Sequence, residues 1–258
     1  MRLTVLGGCG AWPTAGQACS GYLVEHDGFR LLVDPGYATF PRLLEHIGPE
    51  RVDAVLVSHG HPDHCADLNP LLRARALGED PPPALPLHAP HGALDAVLAL
   101  DKASMLGAAY TLHAFRPGER FAIGPFGVDT LPLPHFVPNA GLRLSAGGTV
   151  LAYTGDTGPC HEVARLARGA DLFLSEATFP YGVPDPGDAP YLLTAYGAGQ
   201  YAARAGAGRL LLTHLWPGTD AGLALGAAGK TYDGPVAVAT TGLVMDLSDL
   251  SDPEGPSC

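Results

Sequence analysis

Lysine is nearly absent from this sequence: Lys102 and Lys230 are the only two among 258 residues. Fifteen basic residues stand against 26 acidic ones, giving a formal charge of -11, and the arginines are spread singly. A nucleic-acid binder carries a basic footprint, and none is visible, which argues against large polyanionic partners. Bound divalent cations would still raise the potential of one local patch. Cysteine is also scarce. Cys9, Cys19, Cys65, Cys160 and Cys258 are odd in number and form no CxxC pair. That argues against a disulfide framework and a cysteine-rich zinc site, and for small, partly buried thiols in a reducing compartment. No apolar run approaches the roughly 18 residues of a membrane helix. The opening "MRLTVLGG" lacks the apolar core and cleavage site of a secretory signal, so a cytoplasmic protein with no membrane partner is expected.

The hydrophobic share of 47% and charged share of 16% describe a globular chain with room for one α/β domain. That domain is expected over residues 1–250, with "SDPEGPSC" leaving a flexible tail at 251–258. Strands are expected at 2–7, 21–24 and 29–34, and "FPRLLEHIG" has helical spacing. The apolar run "VDAVLVSH" reads as a buried strand that delivers His59 at its end. Helices follow in "DLNPLLRARALG" and over 92–107, then strands at 119–123, 127–133, 149–153 and 171–175. Thr194 is a good N-cap for a helix reaching Ala205, before the strand "RLLLTH" and strands at 236–240 and 243–247. Two strand-rich halves, each with helices, predict an αββα sandwich of two mixed β-sheets with outer helices.

The 11 histidines fall into two classes. His26, His46, His88, His91, His113 and His161 have no regular context and read as solvated or hydrogen-bonded structural residues. His59, His61, His64, His135 and His214 each sit at or just past a predicted strand end, where loops gather binding residues. In "LVSHGHPDHCADL", an extended backbone points His59 and His61 the same way, and a helix starting at Pro62 aims Asp63 and His64 elsewhere. A helix N-terminus disfavours protonated histidine, which is expected to keep His64 neutral. "LPLPHFVPN", "LAYTGDTG" and "LLLTHLWP" add His135, Asp156 and His214.

This inventory gives His59, His61, His135 and Asp156 to one metal, and Asp63, His64, Asp156 and His214 to the other, with Asp156 bridging. Nitrogen and oxygen donors without thiolate suit zinc, with manganese or iron as alternatives. Two such ions would activate a bridging hydroxide for hydrolysis, and Asp63 is the candidate to orient it or relay its proton.

"SHGHPDH", His135, "YTGDT" and "LTHL", in this order, resemble the motifs of the metallo-β-lactamase-fold hydrolases. "LGGCGAWPTAGQACSGYLVEHDGFRLLVDPG" and "DLFLSEATF" are similar to the ribonuclease Z-like branch, so the resemblance spans nearly the whole chain. It implies a metallo-β-lactamase fold, a phosphodiesterase activity, and a homodimer. It also implies that Asp34 supports the metal ligands from behind. Glu176 matches a glutamate that pairs with a histidine to assist proton transfer to the leaving group. In "PYLLTAYGAGQ", Leu192 stands in that histidine's place, and Tyr191 and Tyr196 are the nearby donors. The glycine- and basic-rich arm that grips transfer RNA is missing. A small or short phosphodiester is therefore the expected substrate, and transfer RNA is disfavoured. The other readings are a carboxylic-ester, lactone or thioester hydrolase, and a non-catalytic metal-binding module.

Overall fold

The apolar runs and short alternations of the first half become strands in a computed structural model that describes residues 1–247. The expected tail at 251–258 lies outside the described residues. The first half supplies β1 (Arg2–Cys9), β2 (Ala18–Cys19), β3 (Gly21–His26), β4 (Phe29–Val33), β5 (Ala54–Leu56), β6 (Leu85–Pro90) and β7 (Tyr110–Phe115). The second supplies β8 (Arg120–Ile123), β9 (Phe126–Leu133), β10 (Asn139–Ala146), β11 (Thr149–Tyr153), β12 (Leu172–Glu176), β13 (Leu210–Thr213) and β14 (Val236–Val238). A last strand, β15 (Val244–Asp246), returns to pair antiparallel with β1. The described residues thus form an eight-stranded sheet in the order β15-β1-β3-β4-β5-β6-β7, with β2 beside β1, and a seven-stranded sheet β14-β13-β12-β11-β10-β9-β8. Both sheets mix parallel and antiparallel pairs.

Period-two alternation explains how each sheet buries both faces. Leu3 and Val5 of β1, with Val24, Leu31 and Val33, meet Phe126, Leu142, Leu151, Tyr153 and Leu174 of the other sheet in a shared core. The alternate residues Leu6, Leu23 and Leu32 face a second cluster with Leu68, Leu71 and Leu72 of an outer helix. On the far side, Leu133, Phe173 and Leu212 pack beneath alanines of further helices.

Those outer helices are α1 (Thr39–Leu44), α2 (Pro62–Cys65), α3 (Leu68–Leu77), α4 (Asp95–Leu98) and α5 (Ala103–Leu106) on the first sheet. On the second they are α6 (His161–Ala167), α7 (Ala195–Ala205) and α8 (Ala221–Ala228). Ala195, Ala198 and Ala202 let α7 approach its sheet closely, and Thr194 caps it by accepting from the Gly197 amide at 3.1 Å. The αββα sandwich is therefore as expected. No helix among the described residues is long and apolar enough to cross a membrane.

The helix expected over 92–107 is instead the two separate turns α4 and α5. Between them Asp101 is drawn to Asn69 at 2.8 Å and Arg73 at 2.6 Å, both on α3, which breaks the segment. Strands β6, β7 and β10 carry no clear sequence signal. Pro86 and Pro90 interrupt β6, most of β7 is exposed at a sheet edge, and β10 opens with Asn139 and Gly141. The four cysteines within the described residues are free, as expected, and burial pushes the Cys19 and Cys65 thiols up to about 12.

Candidate metal centre

The site forms where strand ends of both sheets meet. Beyond β5 the chain bends at Ser58 and is extended at His61 (φ -70°, ψ 143°), then Pro62 starts the single turn α2. Asp34 follows β4, His135 follows β9, Asp156 follows β11 and His214 follows β13. Two of these positions hold a left-handed backbone that L-residues rarely adopt, Asp34 at φ 48° and His214 at φ 57°. Such conformations persist only where the surroundings over-determine them.

Two overlapping four-residue groups result, His59, His61, His135 and Asp156, and Asp63, His64, Asp156 and His214, beside a buried three-residue group of Asp34, His59 and His64, with the ligand-type atoms of each group within 4.8 Å of one another. In the first, His61 Nδ1 lies 3.2 Å from His59 Nε2 and 3.0 Å from His135 Nε2. Asp156 Oδ2 stands 3.8 Å and 3.7 Å from the same two Nε2 atoms. In the second, His214 Nε2 is 3.1 Å from both Asp63 Oδ2 and Asp156 Oδ2, and His64 Nε2 is 3.2 Å from Asp156 Oδ1. Asp156, 2% exposed, belongs to both.

Hydrogen bonds behind the ring fix which nitrogen faces in. Asp34, fully buried, accepts from the Ser58 amide (2.7 Å), Ser58 Oγ (2.6 Å), Tyr153 OH (2.8 Å) and His64 Nδ1 (2.8 Å). Because the Ser58 hydroxyl proton goes to Asp34, Ser58 Oγ can only accept from His59 Nδ1, 3.0 Å away. His135 Nδ1 donates to the Tyr191 carbonyl at 3.1 Å. His214 Nδ1 donates to Thr178 Oγ1 at 3.0 Å, and that hydroxyl donates to Glu176 Oε1 at 2.5 Å. Four Nε2 atoms are left pointing inward, the arrangement that orients metal-binding imidazoles.

These residues fit a divalent cation. One proton on His61 Nδ1 can serve only one of the two Nε2 atoms that face it. His64 Nε2 and Asp156 Oδ1 face each other, buried, at 3.2 Å with no other hydrogen-bond partner, so they are paired only while His64 carries a second proton. With that proton gone the two lone pairs would confront each other, the arrangement a cation relieves. Nitrogen and oxygen donors without sulfur match zinc, manganese or iron.

In the absence of a bound cation, charge is balanced by protons. Burial alone would depress His64 and His214, but Asp156 and Asp63 outweigh it, raising His214 to about 9 and His64 well above its usual range. The expectation that the start of α2 keeps His64 neutral is thereby reversed. A one-turn helix offers little dipole against the carboxylates of Asp156, Asp63 and Asp34. Burial pushes Asp156 upward, yet His214 and His64 hold it well below the carboxylate range.

Cation uptake must therefore displace protons. At neutral pH, zinc titration should release protons, giving calorimetric heats that depend on the buffer's ionisation enthalpy; heats independent of buffer would contradict the assignment. The cation-free protein should also lose stability as pH rises. A histidine raised from 6.5 to about 9 stabilises the fold fully below 6.5 and loses that contribution as pH climbs through about 9. The melting temperature of chelator-treated protein should fall over that window.

Close packing sets the α2 turn as well. A Cβ on Gly36 would overlap the Asp63 carbonyl. Gly36→Ala should cost about 1–3 kcal/mol in denaturant unfolding and displace Asp63 and His64 together, weakening zinc binding.

The sequence-derived site residues are thus brought together, with two distinctions. Asp63 is nearly buried, and its Oδ2 accepts from the Ala11 amide at 2.8 Å. Glu176 is fully buried behind the site, bonded to the Thr157 amide and Thr178, and burial together with Asp156 raises it to about 8. Its side chain reaches His214 only through Thr178. Leu192 lines a cavity of about 280 Å³ with Tyr181 and Tyr196, so no histidine pairs with Glu176 at that position. Tyr191 serves His135 through its carbonyl, and its ring packs on Phe136 at 4.8 Å.

Sequence reasoning missed Ser58, Tyr153, Thr178 and Asn139. Asn139 holds the carbonyls of Thr154 (3.0 Å) and Asp156 (2.6 Å), shaping the loop that presents Asp156. Tyr153 had a readable signal, since a tyrosine on a buried strand needs a partner for its hydroxyl. His88 and His113 stack at 4.8 Å elsewhere on the first sheet, and burial followed by His113 lowers His88 to about 4.

The family model for the beta-lactamase superfamily domain matches residues 29–215. The probable metallo-hydrolase YhfI of Bacillus subtilis is 34% identical over 254 residues, covering 95% of this chain and 100% of YhfI. The crystal structure of that metallo-beta-lactamase fold protein superposes with a TM-score of 0.85 at 31% identity, over 95% of this chain and 98% of the other. A ribonuclease Z from Kineococcus radiotolerans is 29% identical over 261 residues, 83% of each chain. Human tRNase Z, short form, shares the fold with a TM-score of 0.79 at 22% identity, over 96% of this chain and 99% of the other.

Proposed function

The chain belongs to the metallo-β-lactamase superfamily, and on that premise we propose that it is a dinuclear metal-dependent hydrolase of small phosphodiesters. The observation that carries this reading is the pair of four-residue groups sharing Asp156, with the outer nitrogens of His59, His64, His135 and His214 already engaged. Divalent ions, zinc first and manganese or iron next, supply Lewis acidity and acidify water when bound. His59, His61 and His135 would hold one ion, Asp63, His64 and His214 the other, and Asp156 both.

Asp63 is assigned to orient the attacking water and take its proton. Asp34 fixes His64 through Nδ1 and His59 through Ser58. Glu176 is a positioning residue in this scheme, holding Thr178 so that His214 Nε2 faces inward. With leucine at position 192, protonation of the leaving group falls to solvent or a substrate with a good leaving group.

The relative named ribonuclease Z supports phosphorus over carbon as the centre attacked. The net charge of -11 supports a small substrate over transfer RNA. A cytoplasmic homodimer completes the proposal. Zinc-loaded protein assayed on bis-p-nitrophenyl phosphate, p-nitrophenyl acetate and a lactone tests it. Phosphodiester turnover lost in His61→Ala is the expected result. Turnover of the ester or lactone alone would favour a carboxylic-ester, lactone or thioester hydrolase instead.

A further inference from the structure

Aromatic side chains that water would ordinarily drive inward stand exposed on the loops that carry the metal centre. Trp12 (49% exposed) follows Ala11, whose amide binds Asp63, and Trp216 (37% exposed) lies two residues past His214. Phe136 (50% exposed) follows His135, its ring 5.2 Å from that imidazole. Trp12 meets Trp216 edge-to-face at 5.1 Å, and Trp216 stacks on Phe179 at 5.6 Å. The chain is tied down beneath them: the Gly10 amide donates to the Leu215 carbonyl at 2.9 Å, and the Trp216 amide to Thr178 at 3.0 Å. Trp12 is thus held against Trp216 edge-to-face while remaining half exposed.

The same loops carry no lysine or arginine of their own, although Lys230 of a neighbouring segment lies over the Tyr181 ring at 4.8 Å. Segments 8–20, 34–41, 57–70, 132–142, 153–164, 175–203 and 213–229 contain neither lysine nor arginine. A phosphoester reaching this site finds no basic side chain on those loops to grip a second phosphate or a long backbone. Beyond the metal centre, the exposed rings on these loops offer stacking.

We infer that Trp12, held against Trp216, is a stacking platform for a planar ring carried by the substrate, so that the substrate class is a small nucleoside-type phosphodiester with a single phosphate and not a sugar phosphate or a polyanion. This rests on the reading of the centre as a phosphoester hydrolase. Stacking of a base on an aromatic side chain contributes about 1–3 kcal/mol, which corresponds to about 5- to 150-fold in affinity.

The sequence supplies its own probe, because Trp12 and Trp216 are its only two tryptophans. Zinc-loaded protein is titrated with adenosine 5′-monophosphate and with ribose 5-phosphate, following tryptophan fluorescence corrected for absorbance and confirming each affinity by calorimetry. The platform predicts tighter binding of the adenosine compound by that ratio, collapse of the ratio in Trp12→Ala, and its recovery in Trp12→Phe. Equal affinities, no binding of the adenosine compound, or a ratio that survives Trp12→Ala overturns it. Fluorescence that depends on protein concentration and ignores the nucleotide would place a second copy of the chain on the rings, and also overturns it. Bis-p-nitrophenyl phosphate turnover on the same preparation separates the two claims. Turnover without ring preference removes the platform alone, whereas absence of turnover removes the phosphodiesterase reading.

Discussion

Asp156→Ala should lower phosphodiester turnover by about 10³-fold or more and leave the protein with fewer than two bound ions. Asp156 is the one residue common to both groups, so its loss strips a donor from each. Losing several kcal/mol of charge stabilisation at a metal centre translates, at 1.36 kcal/mol per factor of ten, into a rate effect of this size. The loop itself should survive, because Asn139 holds it through the backbone carbonyls of residues 154 and 156 and not through the carboxylate. A folded chain with a lowered unfolding midpoint, because His64 and His214 lose their buried counter-charge, combined with lost metal and lost turnover, is the expected signature. Turnover within tenfold of wild type with two ions retained would remove Asp156 from its assigned place.

The second large effect concerns stability. Asp34→Ala strands the Ser58 amide and hydroxyl, the Tyr153 hydroxyl and His64 Nδ1 in a fully buried site. Removing one partner of a buried charged pair costs about 3–5 kcal/mol, and the orphaned donors work in the same direction. Asp34→Asn separates charge from shape. Asparagine tolerates the left-handed backbone at φ 48°, so the fold should be largely kept while zinc affinity drops about 10- to 100-fold. Chemical denaturation of the alanine variant and zinc titration of the asparagine variant check the two halves. An alanine variant as stable as wild type would contradict the packing described for Asp34.

The fold and the inner ring of the site were legible for the same reason. Buried parallel strands read as unbroken apolar runs, and here each run ends on a chemistry-bearing residue, as "VDAVLVSH" ends on His59 and "RLLLTH" on His214. The spacing of His59, Pro62 and His64 also dictates a bend, which α2 realises. Edge and irregular elements were not legible. β7 is too exposed to alternate, and prolines interrupt β6. The supporting shell was hidden for another reason. Ser58, Thr178 and Asn139 act through single hydrogen bonds between residues distant in sequence, which no local pattern encodes. The titration of His64 belongs to the same class, because carboxylates from three other positions decide it, and the adjacent helix start does not.

The central claim is that two cations in these overlapping groups make a phosphodiesterase. Its most direct test is bis-p-nitrophenyl phosphate turnover measured against zinc bound per chain, starting from chelator-treated protein. The account predicts negligible turnover without metal, a rise with zinc uptake, and a maximum at two ions per chain. Undiminished turnover in the presence of chelator, or two bound ions with no turnover, would contradict it.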